Sequence, residues 1–419
     1  MDQLILDISR SVLRASHSAP TGIDRVERAY FQWALDQTDR KVAFLCRIYG
    51  WQGVLDRSMA ARYFEESART LDAPEGHPET LWRRRIRQAT SRALAAVRSR
   101  ISFRTKYLGR AAFWRVGVDP RRATYLNVSH SNTQLSTFRL LRALGVPKVA
   151  AFVHDVIPLD HPEFFRPASL PGFRRRFEAI GRHADGLIFN SKATEERAMD
   201  YVSRWTKQRG RPKPQTMVAH LGIAERLLDP GPVEAFDSFQ ERPYFVTLGT
   251  IEPRKNHMLL LNIWRRLSER PGPAPHLHIV GWRGWENENV LDVLDRSKMA
   301  GVTVFEHCNA SDWEVLRLLK GARAVLYPSF VEGYGMPIVE AMTLGAPVIC
   351  SDIPVFREVA GDAPEYLDPL DGPGWEAMIR RYAEPNSRER AVQIARLAGY
   401  RPMTWCAHFD RVGPFLSNL

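Results

Sequence analysis

The sequence has no long hydrophobic run. Nothing approaches the eighteen or so consecutive apolar residues that a membrane span requires, so a transmembrane helix is not expected. The opening residues, MDQLILDISRSVLRAS, carry Asp2 and Asp7 and no continuous apolar stretch, which argues against a secretory signal. Cysteine is scarce, with four in 419 residues (Cys46, Cys308, Cys350 and Cys406) and no paired spacing. That excludes a disulfide framework and predicts free, mostly buried thiols in a reducing cytoplasm. Cys-x-x-Cys and His-x-x-x-His pairs are missing, so no zinc site is expected. Internal repeats and low-complexity tracts are missing too, which excludes solenoids and disordered tails. What remains is an ordinary globular composition, 44% hydrophobic and 25% charged, at a length that suggests two domains.

Acidic residues are nearly missing from one segment. Residues 81–122 hold 13 Lys and Arg against the single acid Asp119, while the whole chain carries a net charge of +12. The excess is therefore local. On a helical wheel Trp82, Ile86, Ala93, Leu94, Val97 and Ile101 share one side, with Arg84, Arg85, Arg87, Arg92 and Arg98 opposite. This predicts a basic amphipathic helix over 81–103, suited to peripheral membrane contact. An ordinary surface helix packed on the N-terminal sheet is the alternative. Few aromatics and no recognition motif argue against nucleic acid.

Strand-like and helix-like stretches alternate along the chain. QLILDIS, VAFLCRI, ATYLNV, PKVAAFV, ADGLIF and QTMV read as strands. A helix with Val26, Tyr30, Trp33 and Ala34 at helical spacing follows Thr21–Gly22. A second alternating run holds YFVTL, HLHIV, VTVFEHC, RAVLYPS and APVICSD. The fold class expected is α/β, with two Rossmann-like, doubly wound parallel-sheet domains facing a cleft. The boundaries expected are an N-terminal domain over 1–226, a Pro- and acid-rich linker over 227–243, a C-terminal domain over 244–395, and a last segment, 396–419.

Three stretches carry chemistry. In SFVEGYGMPIVEAMTLGAPVIC, residues 329–350, a strand gives way to a glycine turn and then a helix. Gly333 and Gly335 let backbone N–H groups approach a ligand. Glu332 in the turn and Glu340 in the helix can each grip a vicinal diol, as a sugar or ribose presents. A plain turn with a solvated Glu332 is the alternative. In GTIEPRKNHMLLL, residues 249–261, Gly249 is followed by Arg254 and Lys255 just ahead of a helix. Two cations there oppose the helix dipole, and a diphosphate would remove the conflict. A solvated basic turn is the alternative. Gly22 opens a helix whose backbone amide could face a phosphate, and His154 ends an apolar strand, although both residue types are common in structural roles.

Taken in order and spacing, GTIEPRKN, YPSFVEGYGMPIVEAMTLGAPVICSD and FREVAGDAPEYLDP resemble the family 4 retaining glycosyltransferases of GT-B fold. TGIDRVERAY and FVHDVIPLDHPEFF resemble the subset that builds bacterial surface polysaccharides, often with mannosyl or rhamnosyl transfer. The resemblance implies that Arg254 and Lys255, with Gly249 beside them, hold a donor diphosphate. It implies that Glu332 contacts the donor sugar with the backbone of Gly333, Tyr334, Gly335 and Met336, and that Glu340 binds the ribose. Gly22 would face the phosphate, His154 would lie near donor sugar and acceptor, and the Asn190–Ser191 loop would line the substrate site. The segment YRPMTWCAHFDRVGPFL resembles a terminal helix that crosses back to the first domain, anchored by Trp405. Thr21 departs from the pattern, standing where many relatives have a second glycine.

These implications set the functional expectation. The substrate is a nucleotide-sugar, GDP-mannose-like favoured, and the acceptor a lipid-linked glycan or polysaccharide. No cofactor is expected. No metal is expected either, because no Asp-x-Asp occurs and the two cations would carry the leaving group. The location expected is cytoplasmic, with inner-membrane association. The alternatives are a catalytically silent GT-B homologue that binds a partner, or a sugar-nucleotide epimerase or phosphorylase on the same fold.

Overall fold

Strands covered on both faces favour apolar residues at successive positions, and Gln3–Asp7, Lys41–Ile48, Lys148–Val153, Gly186–Phe189, Tyr244–Leu248, Ala324–Tyr327 and Val348–Ser351 of this chain follow that pattern. The computed structural model describes residues 3–14, 21–48, 51–71, 109–210, 212–229 and 242–419. Strands β1 (Gln3–Asp7), β2 (Lys41–Ile48), β3 (Trp51–Leu55), β4 (Ala123–Asn127), β5 (Lys148–Val153), β6 (Gly186–Phe189) and β7 (Gln215–Val218) form the first sheet. Its order is β3-β2-β1-β4-β5-β6-β7. Strands β8 (Tyr244–Leu248), β9 (His276–Val280), β10 (Val304–His307), β11 (Ala324–Tyr327), β12 (Val348–Ser351) and β13 (Glu365–Leu367) form the second, in the order β10-β9-β8-β11-β12-β13. All pairings are parallel except β2 with β3.

The two-residue period of a strand divides each sheet's core. On β1, Leu4 and Leu6 pack to one side and Ile5 to the other. On β11, Ala324 and Leu326 face one way, and Val325 and Tyr327 the other. The chain reverses direction across each sheet between β1 and β4 and between β8 and β11. Those are the crevices where doubly wound sheets bind ligands.

Helix Gly22–Asp36 buries Val26, Tyr30, Phe31 and Ala34 against the first sheet. Thr21 is its N-cap, and with Asp24 it closes a capping box. Arg10 and Arg14 pair with that same Asp24 at 2.9 and 2.8 Å. Thr21 thus has a use that a second glycine could not serve. Helix Trp405–Ser417 lies against the same element. His408 Nε2 is 2.9 Å from Tyr30 Oη, and Phe409 stacks on Trp33 with ring centroids 5.0 Å apart.

Several elements depart from the sequence expectation. Helix Ser9–Arg14 is too short to show a period. Helix Arg57–Leu71 was not expected either; among its described side chains Ala60 and Tyr63 are buried, with Met59 and Phe64 packed beside them. The edge strand β3 contains Gly53 and runs antiparallel, so the first sheet is mixed at its margin rather than wholly parallel. β13 is three residues long. Cys46 and Cys350 are buried as expected, but Cys308 is half-buried and Cys406 exposed. The stretch expected as a linker, 227–243, begins inside the helical turn Glu225–Leu228, and its residues 230–241 lie outside the described residues. The amphipathic helix expected over 81–103 lies outside them as well. The described end of the basic segment is docked on the first sheet. Arg110 Nε donates to Leu144 O at 2.9 Å, and Asp119 N donates to Gln3 Oε1 at 2.6 Å.

Candidate functional site

The loops that follow β8 and β11 bring Arg254, Lys255 and Glu332 together. After β8 the chain turns at Gly249, and the 3-10 turn Pro253–Lys255 delivers two cations. Asn256, in the left-handed region at φ 57°, then starts helix His257–Ser268. After β11 the loop lays Phe330 N on Arg254 O at 2.8 Å, which joins the two turns through their backbones. Arg254 Nη1 contacts Glu332 Oε2 at 2.5 Å, and Nη2 contacts Glu252 Oε1 at 2.6 Å. Lys255 Nζ pairs with Glu332 Oε1 and donates to Tyr327 Oη at 2.6 Å. Ser329 Oγ donates to Glu332 Oε1 at 3.1 Å.

These four charged groups are nearly dry. Side-chain exposure is 7% for Glu332, 5% for Glu252, 10% for Lys255 and 18% for Arg254. Burial opposes the charge on Glu332, but Arg254 and Lys255 outweigh it and hold its carboxyl at about 2. Burial lowers the Lys255 ammonium from its usual range, with Glu332 working the other way. Asp155, from the loop after β5, sits close by, and burial raises its carboxyl, partly offset by Arg254. The cluster therefore holds two cations and two carboxylates in mutual contact. Glu332 is not the solvated residue of the alternative reading of this turn. It is the acceptor for three donors.

The glycine turn is fixed by what surrounds it. Gly335 has φ 96°, and a Cβ there would meet Phe356 Cε1 at 2.8 Å. A Cβ on Gly333 would stand 2.5 Å from His154 O. The turn is thus pressed against the first sheet's loops, and only glycine fits. Tyr334 reaches across and donates to Leu221 O at 3.1 Å. Met336 opens helix Met336–Thr343, and its Sδ lies 3.8 Å from where a Cβ on Gly22 would be. Gly345, just past that helix, takes φ 74° and closes it as a C-terminal glycine.

The first sheet meets this turn with neutral groups. His154 Nε2 donates to Val128 O at 2.6 Å. Burial pushes the ring down to about 4, so it is neutral near pH 7. Asn190 Nδ2 donates to His154 O at 2.8 Å. Ser191 caps helix Lys192–Arg209, and the hydroxyls of Ser191 and Thr194 lie 3.0 and 3.1 Å from Gly333 O. The amides of Lys192 and Ala193 donate to Glu358 at 2.6 and 3.1 Å, and His220 Nε2 lies 2.8 Å from the same carboxylate. A cleft of about 230 Å³ remains beside Glu332, lined among others by Asp155, Asp160, Arg197, Thr194 and Phe330.

Of the candidate site residues, Gly22, His154, Asn190 and Ser191 come from the first domain and Gly249, Arg254, Lys255, Glu332 to Met336 and Glu340 from the second, and Gly333 touches both His154 and Ser191. Glu340 is apart from the ion cluster. It faces Arg25, whose Nη1 is 2.6 Å from Oε1. The sequence reading missed Glu252, Tyr327, Asp155, Glu358 and Arg25. Glu252 lies inside the GTIEPRKN motif and carried a signal. The partners of Arg25 and Glu358 are 315 and 166 residues away and carried none.

The ion cluster and the glycine turn, placed at the reversal point of the second sheet, lie in the stretch that known proteins resemble. Residues 233–367 match the family model of the glycosyl transferases group 1. That stretch contains Gly249, Arg254, Lys255, Glu332 and Glu340. The fold of the whole chain is GT-B. The chain aligns over 100% of both lengths with the crystal structure of Anabaena Alr3699/HepE in complex with UDP and glucose, with TM-score 0.62 at 13% identity. Sucrose-phosphate synthase from Thermosynechococcus elongatus aligns with 100% of this chain and 99% of its own, with TM-score 0.58 at 14% identity. In sequence, 59% of the chain is 31% identical to the serotype-specific mannosyltransferase WbdA of Escherichia coli, covering 32% of that protein. The O-antigen chain mannosyltransferase B of Escherichia coli is 30% identical over 199 residues, which are 46% of this chain and 52% of the relative. The chain thus matches about a third to a half of the length of these relatives.

Proposed function

We propose that this chain is a retaining, metal-independent glycosyltransferase that acts in cell-surface glycan synthesis. The donor is a nucleotide-sugar, GDP-mannose-like, and the acceptor a lipid-linked glycan or a growing polysaccharide. The observation that carries this reading is the buried Arg254–Lys255–Glu332 cluster at the β8/β11 reversal point, beside a glycine turn that no larger residue could form. The mannosyltransferase names of the relatives favour a mannosyl donor.

Chemistry follows from charge. Breaking the bond between the anomeric carbon and the diphosphate oxygen leaves an anion beside an oxocarbenium-like sugar. Arg254 and Lys255 stabilise that anion in a site with little water, where such interactions are strong. Glu332 orients both cations and accepts from a donor-sugar hydroxyl. The acceptor hydroxyl attacks on the face the diphosphate leaves, and its proton passes to the departing phosphate oxygen. His154, neutral and held by Val128 O, shapes the sugar's surroundings without carrying a charge.

Calorimetric titration of the purified chain with GDP-, UDP-, dTDP- and ADP-sugars, with and without EDTA, tests the reading. Saturable, EDTA-insensitive binding of one nucleotide class is expected. Binding of none would overturn it in favour of a silent homologue.

A further inference from the structure

We infer that Arg25 is a competitor built into the donor site, which the ribose of a nucleotide must displace from Glu340. The inference rests on the donor reading above and on the role that the resemblance implies for Glu340, holding the ribose diol.

The geometry is specific. Arg25 lies one turn into helix Gly22–Asp36, on the first sheet's side, and Glu340 lies in helix Met336–Thr343, on the second's. Arg25 Nη1 is 2.6 Å from Glu340 Oε1, a short charge-assisted contact. The Glu340 side chain is 11% exposed, so little of its carboxylate is left for another partner. A vicinal diol grips a carboxylate with two hydroxyls, one on each oxygen. With Oε1 held by a guanidinium and the Glu340 side chain only 11% exposed, a diol that takes both oxygens must compete with Arg25 for Oε1.

The surroundings allow opening. Arg25 is 35% exposed in its side chain, against 11% for Glu340, so the arginine is the partner able to move. Its Nη2 is 3.6 Å from Asp312 Oδ1, and Asp312 is 46% exposed. A displaced guanidinium therefore finds a second carboxylate at once. Asp312 is also held by Arg226, so it stays in place when Arg25 turns to it. Glu340, by contrast, is fixed on a short helix whose next turn is buried.

A competitor of this kind weakens donor binding by the strength of the contact it must give up. It does so only for ligands that use Glu340. Removing Arg25 should therefore tighten a ribonucleotide and leave a nucleotide without the diol unchanged.

The test measures Kd for GDP and UDP, and for their 2′,3′-dideoxy forms, on the full chain and on Arg25→Ala and Arg25→Gln. Thermal unfolding is recorded for each variant, and Arg25→Gln keeps most of the side-chain stem should Arg25→Ala not fold. The ribonucleotide that binds wild type should bind the variants about tenfold more tightly, the scale of one charge-assisted hydrogen bond. Its dideoxy form should stay within about twofold. In Glu340→Gln the effect of removing Arg25 should vanish. Equal changes for both nucleotide forms, or no change, would overturn the inference while leaving the donor reading intact. Weaker binding of both forms would make Arg25 a phosphate ligand and overturn it too. No nucleotide binding by wild type would remove the donor reading itself, and the inference with it.

Discussion

The two faces of the seam solve the same packing problem with opposite chemistry. The second sheet presents Arg254, Lys255, Glu252 and Glu332, all charged, all largely buried and linked in a chain from Glu252 through Arg254 and Glu332 to Lys255. The first meets the glycine turn mainly with His154, Asn190 and Ser191, none of them charged at neutral pH and each bonded to a backbone carbonyl. The paired charges of the cluster are thus concentrated on the second sheet's side, while the first adds Asp155 beside them and Arg25 on Glu340. The difference also divides the kinds of damage that substitutions should do.

The largest effect is expected from Glu332→Gln. It removes the carboxylate shared by two buried cations, and losing one partner of such a pair costs about 3–5 kcal/mol. Urea unfolding would record it. A loss below about 1 kcal/mol would mean the cluster is wetter than its exposure implies. Arg254→Ala should next lower turnover by about a hundredfold, as loss of one preorganised group on a developing anion does. Steady-state kinetics with the donor identified by titration would show it in kcat. A change confined to KM would assign Arg254 to ground-state binding instead.

A pH series sharpens the contrast. Burial holds the rings of His154 and His408 at about 4 and those of His257 and His278 at about 3, against an ordinary 6.5. The unfolded chain takes up protons below 6.5 that the folded chain refuses, so stability is full above that value and falls as pH drops toward 3. Glu332 has its carboxyl depressed from 4.5 to about 2, so its contribution is present above 4.5 and is lost as pH falls toward 2. Urea midpoints measured from pH 8 to pH 3 should decline from about 6.5 downward, and a flat profile would contradict the buried neutral histidines. The smallest effect is expected on the neutral face. Ser191→Ala removes a helix cap and a contact to Gly333 O. It should cost about 1 kcal/mol in unfolding and little in nucleotide affinity.

Legibility followed range. The central strands of both sheets announced themselves as near-continuous apolar runs, because parallel strands are covered twice. Arg254 and Lys255 were conspicuous because cations at a helix start contradict the local dipole. β3 and helix Ser9–Arg14 were not, since one is an edge strand interrupted by Gly53 and the other spans six residues. Thr21 looked like a defect in a glycine motif, and the fold shows it as a cap.

By itself the sequence determined the two α/β halves, the glycine turn between Glu332 and Glu340, and the placing of two cations before a helix. These are properties of neighbouring residues, fixed by backbone geometry and periodicity. Only the tertiary structure decided that Glu332 closes on Arg254 and Lys255, that Glu358 caps a helix of the other sheet, and that Arg25 holds Glu340. Such pairs join residues far apart along the chain. Neighbouring strands of one sheet bring Glu332 to Arg254 and Lys255, and contact between the two domains brings the others together, so no local pattern encodes which charges will meet.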